Sequence, residues 1–157
     1  MNKLIPLTVP KGLLALIILF SFLSPGQAQE ERVRVTVLPF EVHSQLPLAY
    51  LKTRIPEVIR GHLREEGAEI VESPEPIVGR TQPEIQRLGI RLGVDYVIWG
   101  SLTWIGEKFS IDARMIDVFG QKPLSAFYVE GEQIENLPLI VKKLSQDFGM
   151  ALFRREP

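Results

Sequence analysis

Three aspartates, two histidines and a serine are the side chains whose types and spacing bear on chemistry in this chain. Asp112 and Asp117 share one stretch of alternating apolar residues, with Asp95 upstream, and paired carboxylates are the usual equipment for general acid–base work. Five residues apart on a strand of period two, Asp112 and Asp117 point to opposite faces and do not converge. Asp95 and Asp117 read instead as turn residues, one before a strand and one after it. His43 adjoins Ser44 in a predicted loop, and His62 lies on a predicted helix beside Arg60 and Arg64. A serine–histidine nucleophile needs a third orienting group and oxyanion donors. No such signature occurs, so both read as surface histidines. The chain has no cysteine, which excludes disulfides, thiolate metal sites and cysteine nucleophiles. Two histidines are too few for a multi-histidine zinc site, and neither G-x-G-x-x-G nor a Walker motif is present. The expectation is a non-enzymatic protein with no catalytic residue, no cofactor and no metal.

Composition narrows the class further. Lys plus Arg number 18 and Asp plus Glu 19, for a formal net charge of -1. That balance argues against a nucleic-acid partner, which requires a basic excess. Hydrophobic residues are 45% of the chain, enough for a core, and the length suits one domain. The N-terminus differs from the rest. Residues 1–28 hold no acidic residue, and Lys3 and Lys11 precede an apolar run, Leu13–Leu23, interrupted only by Ser21. The run is short of the roughly 20 residues that a spanning helix needs and has the length of a signal-peptide core. Ser24-Pro25-Gly26 breaks it, and Gly26 and Ala28 place small residues three and one before a cut. A signal peptide over 1–28, cleaved after Ala28, is therefore expected, leaving a single domain over 29–157 with no integral membrane segment; the alternative is an uncleaved anchor. Loss of Lys3 and Lys11 takes the net charge from -1 to -3. An exported chain without cysteine fits a bacterial periplasm.

The elements that position these residues follow an α/β rhythm. Val33–Phe40 alternates, with Val33, Val35 and Val37 on one face, and Pro39 ends its ladder. Glu41–Gln45 reads as a loop. Leu48, Leu51, Ile55, Ile59 and Leu63 mark a helix over 46–66, with a kink or restart expected at Pro56 and Gly67 as its stop. Ala68–Glu72 is a short strand and Ser73–Gly79 a loop. Thr81 and Glu84 have capping-box spacing, so a helix is expected over 82–92, closed by Gly93. Val94–Trp104 is a long strand, Gly106-Glu107-Lys108 a hairpin turn, Phe109–Phe119 a second long strand, Gly120–Pro123 a turn and Leu124–Val129 the last strand. Helical spacing from Ile134 to Leu152 closes the chain. The order β-α-β-α-β-β-β-α predicts an α/β (α+β-like) fold, a mixed five-stranded sheet packed with helices.

Several of these segments carry a family cadence. Val37–Phe40 (VLPF), Leu63 to Gly67 before a strand, and Leu92–Gly120 (LGVDYVIWGSLTWIGEKFSIDARMIDVFG) resemble the amino-terminal domain of the TolB family. The cadence is also similar to that of CsgG-type envelope proteins. The likeness runs from about Val33 to Phe153 and implies the shared α/β fold and a place among envelope proteins. The TolB family continues into a β-propeller, and CsgG-type proteins are lipidated on a cysteine that this chain lacks. Propeller-dependent roles and a lipid-anchored pore are therefore not carried over.

The expected role is a periplasmic protein-interaction module of the bacterial cell envelope, with Tol–Pal-like or secretion-associated envelope proteins as partners. The alternative is a self-assembling subunit of the CsgG type. Its expected interaction surface comprises Trp99, Trp104, Leu124, Phe127 and Val129. The two tryptophans lie on opposite faces of one strand by parity, one in the core and the other near Phe127 and Val129 in an apolar patch. Leu124–Val129 ends the meander and is expected to be an edge open to strand addition. The basic residues Lys142, Lys143, Arg154 and Arg155 read as a solvated helix face, with contact to anionic lipid or peptidoglycan as the alternative.

Overall fold

In the computed structural model β1 (Arg34–Val37), β2 (Glu41–His43), α1 (Leu51–Glu65), β3 (Glu69–Ile70), α2 (Gln82–Leu92), β4 (Tyr96–Ile105), β5 (Lys108–Asp117), β6 (Ser125–Glu132), a 3-10 turn (Ile134–Asn136) and α3 (Leu137–Phe153) follow one another. The structure describes residues 32–73, 81–120 and 124–153. The expected signal peptide, most of the loop after Ser73, the turn at Gln121–Pro123 and Arg154 and Arg155 lie outside the described residues. The strands form one mixed sheet in the order β3-β1-β4-β5-β6, with β2 also on β4. The α/β class read from the sequence is the observed one.

Among the described residues six strands replace the expected five, because Glu41–His43 is a strand and not a loop. It shares one side of β4 with β1. Val35–Val37 pairs with Tyr96–Ile98 and Glu41–His43 pairs with Ser101–Thr103, both parallel, while β5 takes the other side of β4. β1 and β2 therefore lie end to end. Pro39 has no N–H to give to a ladder, and the chain swings out there and returns. At the gap the Phe40 N–H donates to Lys52 O (3.0 Å). That carbonyl is free because Pro56, four residues on, cannot donate to it. The proline expected to kink or restart α1 thus sits in a helix that runs without interruption from Leu51 to Glu65. The helix begins five residues later than periodicity alone suggests. Pro47 disfavours helical backbone at Leu46, and a turn with Leu46 N–H on Ser44 Oγ (3.0 Å) occupies that stretch.

Both faces of the sheet carry helices, unequally. On one face α1 and α3 cover Val35, Val37, Ile98, Leu102, Trp104, Phe109, Ile111, Ala113 and Met115. On the other, α2 brings Ile85 and Leu88 against Leu38, Val94, Val97, Ile116 and Val118. α2 is framed as its sequence predicts. The Glu84 carboxylate accepts from the Thr81 N–H and hydroxyl, both at 2.8 Å, and Gly93 closes it in the left-handed region at φ 63°. Asp117 does the turn work expected of it, its Oδ1 accepting the Phe119 N–H (3.0 Å), whereas the Asp95 carboxylate serves no local turn and reaches across to β1, its Oδ2 accepting the Arg34 N–H (2.7 Å).

Gly100 sits where β1 gives way to β2, and a Cβ there would lie 2.5 Å from Asp112 O and 2.6 Å from the Phe40 ring. Gly100→Ala is expected to cost about 1–3 kcal/mol, as overpacking against backbone does. Gly61, inside α1, supplies the control, since a Cβ added there would meet nothing within 4 Å. Gly61→Ala is expected to stabilise by roughly 0.5–1 kcal/mol. Urea denaturation of the two variants checks both signs.

Candidate interaction surface

The five residues expected to form one surface divide between the two faces of the sheet. Trp104 is buried in the α1/α3 core. It is stacked on Phe109 (5.0 Å between centroids, 16° between planes), and its indole N–H donates to Gly106 O at 2.8 Å. Phe127 and Val129 lie on the same side, half-buried, with Phe127 against Phe148 at 4.4 Å. Trp99 and Leu124 are half-buried on the α2 side. Trp99 lines a cavity of about 190 Å³ with Pro39, Glu41, Ser101, Asp112 and Arg114. The parity expected for the tryptophans holds. The patch joining Trp99 to Phe127 and Val129 does not form, because register sets Trp99 opposite Arg114 and Phe127 opposite Ala113, on alternate faces.

What unites Leu124, Phe127 and Val129 is the border of the sheet. Among the described residues β6 pairs with β5 alone and is an edge strand, as expected. It runs three residues beyond the predicted end at Val129, through Glu130-Gly131-Glu132. Which of its backbone groups are free follows from the register. The Gln133 N–H donates to Glu107 O (2.9 Å), and bonded pairs alternate along an antiparallel ladder. Gly131, Val129, Phe127 and Ser125 therefore exchange bonds with Phe109, Ile111, Ala113 and Met115. Ala126, Tyr128, Glu130 and Glu132 turn their N–H and C=O outward. The Glu132 carbonyl is closed off by Asn136 Nδ2 at 2.8 Å.

The side chains of those outward residues line the part of the sheet beyond α2. A shallow cavity of about 400 Å³ wraps the end of β6, between Thr103, Ile105, Lys108, Ser110, Tyr128 and Glu130. Ile105, at the hairpin tip, is 75% exposed and Tyr128 is 63% exposed. The Tyr128 hydroxyl donates to Glu130 Oε1 at 2.6 Å. Lys108 Nζ is 3.2 Å from Glu132 Oε1, and Arg114 Nε is 3.4 Å from Asp112 Oδ1. Sequence reasoning missed Tyr128, Glu130, Glu132 and Ile105. The signal was present, since the alternation of SAFYVEGE continues past Val129.

The remaining candidates stay apart. Asp112 is on the open face paired with Ser101, and Asp117 is buried opposite Tyr96. His43 Nε2 is 3.5 Å from Glu41 and His62 Nε2 3.2 Å from Glu66. Lys142 and Lys143 are exposed on α3. Among the described residues there is no group of three or more His, Cys, Asp or Glu able to hold a metal, and no helix is long and apolar enough to cross a membrane.

Comparison with known proteins places the fold. No family model matches the chain. PelC from Paraburkholderia phytofirmans, crystallised as a dodecamer, superposes with a TM-score of 0.55 at 18% identity over 80% of this chain and 90% of PelC. TolB from Acinetobacter baumannii superposes with a TM-score of 0.51 at 12% identity, over 79% of this chain and 28% of TolB. At such identities the likeness is one of fold, and the resemblance to the TolB domain holds at that level. In sequence, 47 residues are 38% identical to the outer membrane protein assembly factor BamA of Nitratidesulfovibrio vulgaris, a match spanning 30% of this chain and 6% of BamA.

The hydrogen bond that the Tyr128 hydroxyl donates to Glu130, ahead of desolvation and that carboxylate's charge, raises the phenol above its ordinary 10.0. A raised folded-state value means that the bond's contribution is present below 10.0 and is lost as pH rises through the raised value. Glu130→Gln is expected to bring the phenol back toward 10.0, read by ultraviolet titration of the folded protein against wild type.

Proposed function

We propose that the chain is a non-enzymatic protein-interaction module of the bacterial cell envelope, exported by residues 1–28, cleaved after Ala28 and resident in the periplasm as the domain 29–157. The observation that carries this reading is the edge of β6, with outward backbone groups at Ala126, Tyr128 and Glu130 and a sheet face beside it that no element among the described residues covers. An unpaired strand edge is a template for another extended chain, whose main-chain bonds give affinity while alternate side chains give selectivity. The fold shared with TolB and PelC and the short match to BamA support an envelope setting. Tol–Pal-like or secretion-associated proteins are the partners that this reading names.

The register supplies a specific test. Tyr128 turns its N–H outward, so Tyr128→Pro removes an edge donor without breaking a β5–β6 bond, a position where strands tolerate proline. Its stability is expected to stay within about 1 kcal/mol of wild type. Val129→Pro removes a ladder bond and a packed side chain, and is expected to cost more than about 2 kcal/mol. With affinity capture from periplasmic extract, the wild-type protein is expected to retain an envelope protein that Tyr128→Pro loses. Capture undiminished by the proline takes the edge out of the reading, and no captured protein at all ends it.

The dodecameric PelC crystals favour a second reading, a subunit that assembles with copies of itself. Sedimentation velocity separates the two. Self-assembly requires a sedimentation coefficient above the monomer value, constant for a tight oligomer or climbing with protein concentration for a weak one, and a constant monomer value up to the highest concentration removes it.

A further inference from the structure

We infer that the segment accepted by β6 is an extended stretch alternating basic and apolar side chains, the basic ones along Tyr128, Glu130 and Glu132 and the apolar ones beside Phe127 and Val129. This rests on the strand-addition reading and adds the chemistry of the partner.

A strand bonded to Ala126, Tyr128 and Glu130 places its own side chains alternately on the two faces of the sheet. On the open face its neighbours are Tyr128, Glu130 and Glu132, all exposed. Two of the three are acids, and the nearby cations are committed: Lys108 to Glu132 and Arg114 to Asp112. Glu130 makes no ion pair among the described residues; its carboxylate accepts the Tyr128 hydroxyl. A lysine or arginine directly across from it finds an opposite charge at cross-strand distance, and an aromatic ring alongside.

On the other face the neighbours are hydrocarbon. Phe127 and Val129 are half-buried against the main core. At Gly131 the missing side chain leaves room that Ile140 of α3 and Phe109 fill. Side chains entering on that side therefore meet Phe127, Val129 and Ile140, and apolar residues suit them. The same charges select against a second β6 as occupant, since antiparallel pairing of two copies brings glutamates of both strands onto one face, and like charges across strands repel.

The test uses three seven-residue peptides and the purified protein, followed by amide chemical shifts and hydrogen exchange. One peptide alternates lysine and valine, the second has glutamate for lysine, and the third is the lysine peptide with N-methylated backbone amides. The lysine peptide is expected to shift and protect the amides of Ala126, Tyr128 and Glu130. Its affinity is expected to exceed that of the glutamate peptide by roughly tenfold at low salt, less at high salt. The N-methylated peptide is expected not to bind there, and the double variant E130K/E132K to reverse the preference. Equal binding of the lysine and glutamate peptides at these amides overturns the charge inference and leaves strand addition standing. Unaltered binding of the N-methylated peptide, or shifts confined to other parts of the protein, overturns strand addition and the inference with it.

Discussion

Halfway along β4, Gly100 lets the Phe40 ring lie against the strand, and the rest of the architecture is arranged around that contact. β1 stops pairing with β4 at Ile98 and β2 resumes at Ser101. In the gap the chain leaves the ladder, buries Phe40 and returns. The excursion leaves the Phe40 N–H without a sheet partner in a buried place, where an unpaired donor is costly. Pro56 resolves this from the other side by freeing the Lys52 carbonyl, which accepts that N–H at 3.0 Å. Val37 O, beyond the two-residue reach of β3, is met by Arg60 Nη1 of the same helix at 3.0 Å. The break in the strand and the proline in the helix are thus complementary irregularities. Together they fix the position of α1 on the sheet.

The same break divides the second face. Upstream of Gly100, β4 presents Val97 and Trp99 to α2, and Leu38, Val94, Ile116 and Val118 complete a small core. Downstream it presents Ser101, Thr103 and Ile105, which no helix among the described residues covers, and β5 and β6 continue this surface with Ser110, Asp112, Tyr128 and Glu130. α2 has eleven residues, about 16 Å of helix at 1.5 Å per residue, too short to reach the hairpin tip. The ten-residue strands β4 and β5 extend past it. The uncovered face, and the free side of β6 beside it, are consequences of a long hairpin packed under a short helix.

The periodic parts of this arrangement are legible in the sequence. α2 is bounded by its capping residues and Gly93. The alternation of Phe109, Ile111, Ala113 and Met115 assigns the core face of β5, and the order of the meander puts the last strand at an edge. The parts that escape depend on partners distant in the chain. Glu41–His43 is too short to show a period and becomes a strand only because Ser101–Thr103 offers it bonds. Pro56 has the look of a helix breaker because the donor that uses its orphaned carbonyl is sixteen residues earlier. The candidate surface fails at a similar point. Parity along one strand correctly separates Trp99 from Trp104, but register between strands decides which tryptophan Phe127 accompanies. Sequence alone ends β6 at Val129 because Glu130-Gly131-Glu132 has the composition of a turn. Gly131 is there for a packing reason, leaving room that Ile140 and Phe109 occupy.

An open edge endangers the protein that carries it, because it also templates pairing with identical copies. β6 manages this at both levels of its chemistry. Gln133 at φ 64° turns the chain out of the strand direction, and Asn136 takes the Glu132 carbonyl, so the free backbone is short and ends at a closed group. Along the remaining length every second side chain from Tyr128 onward is polar or acidic, and none is basic. Acidic edges repel one another and so keep copies apart, yet the repulsion falls only on strands of like charge. A strand with lysine or arginine at alternate positions meets attraction in its place and finds the backbone groups already in register. The features that blunt the edge toward itself thereby set the terms on which another chain is admitted.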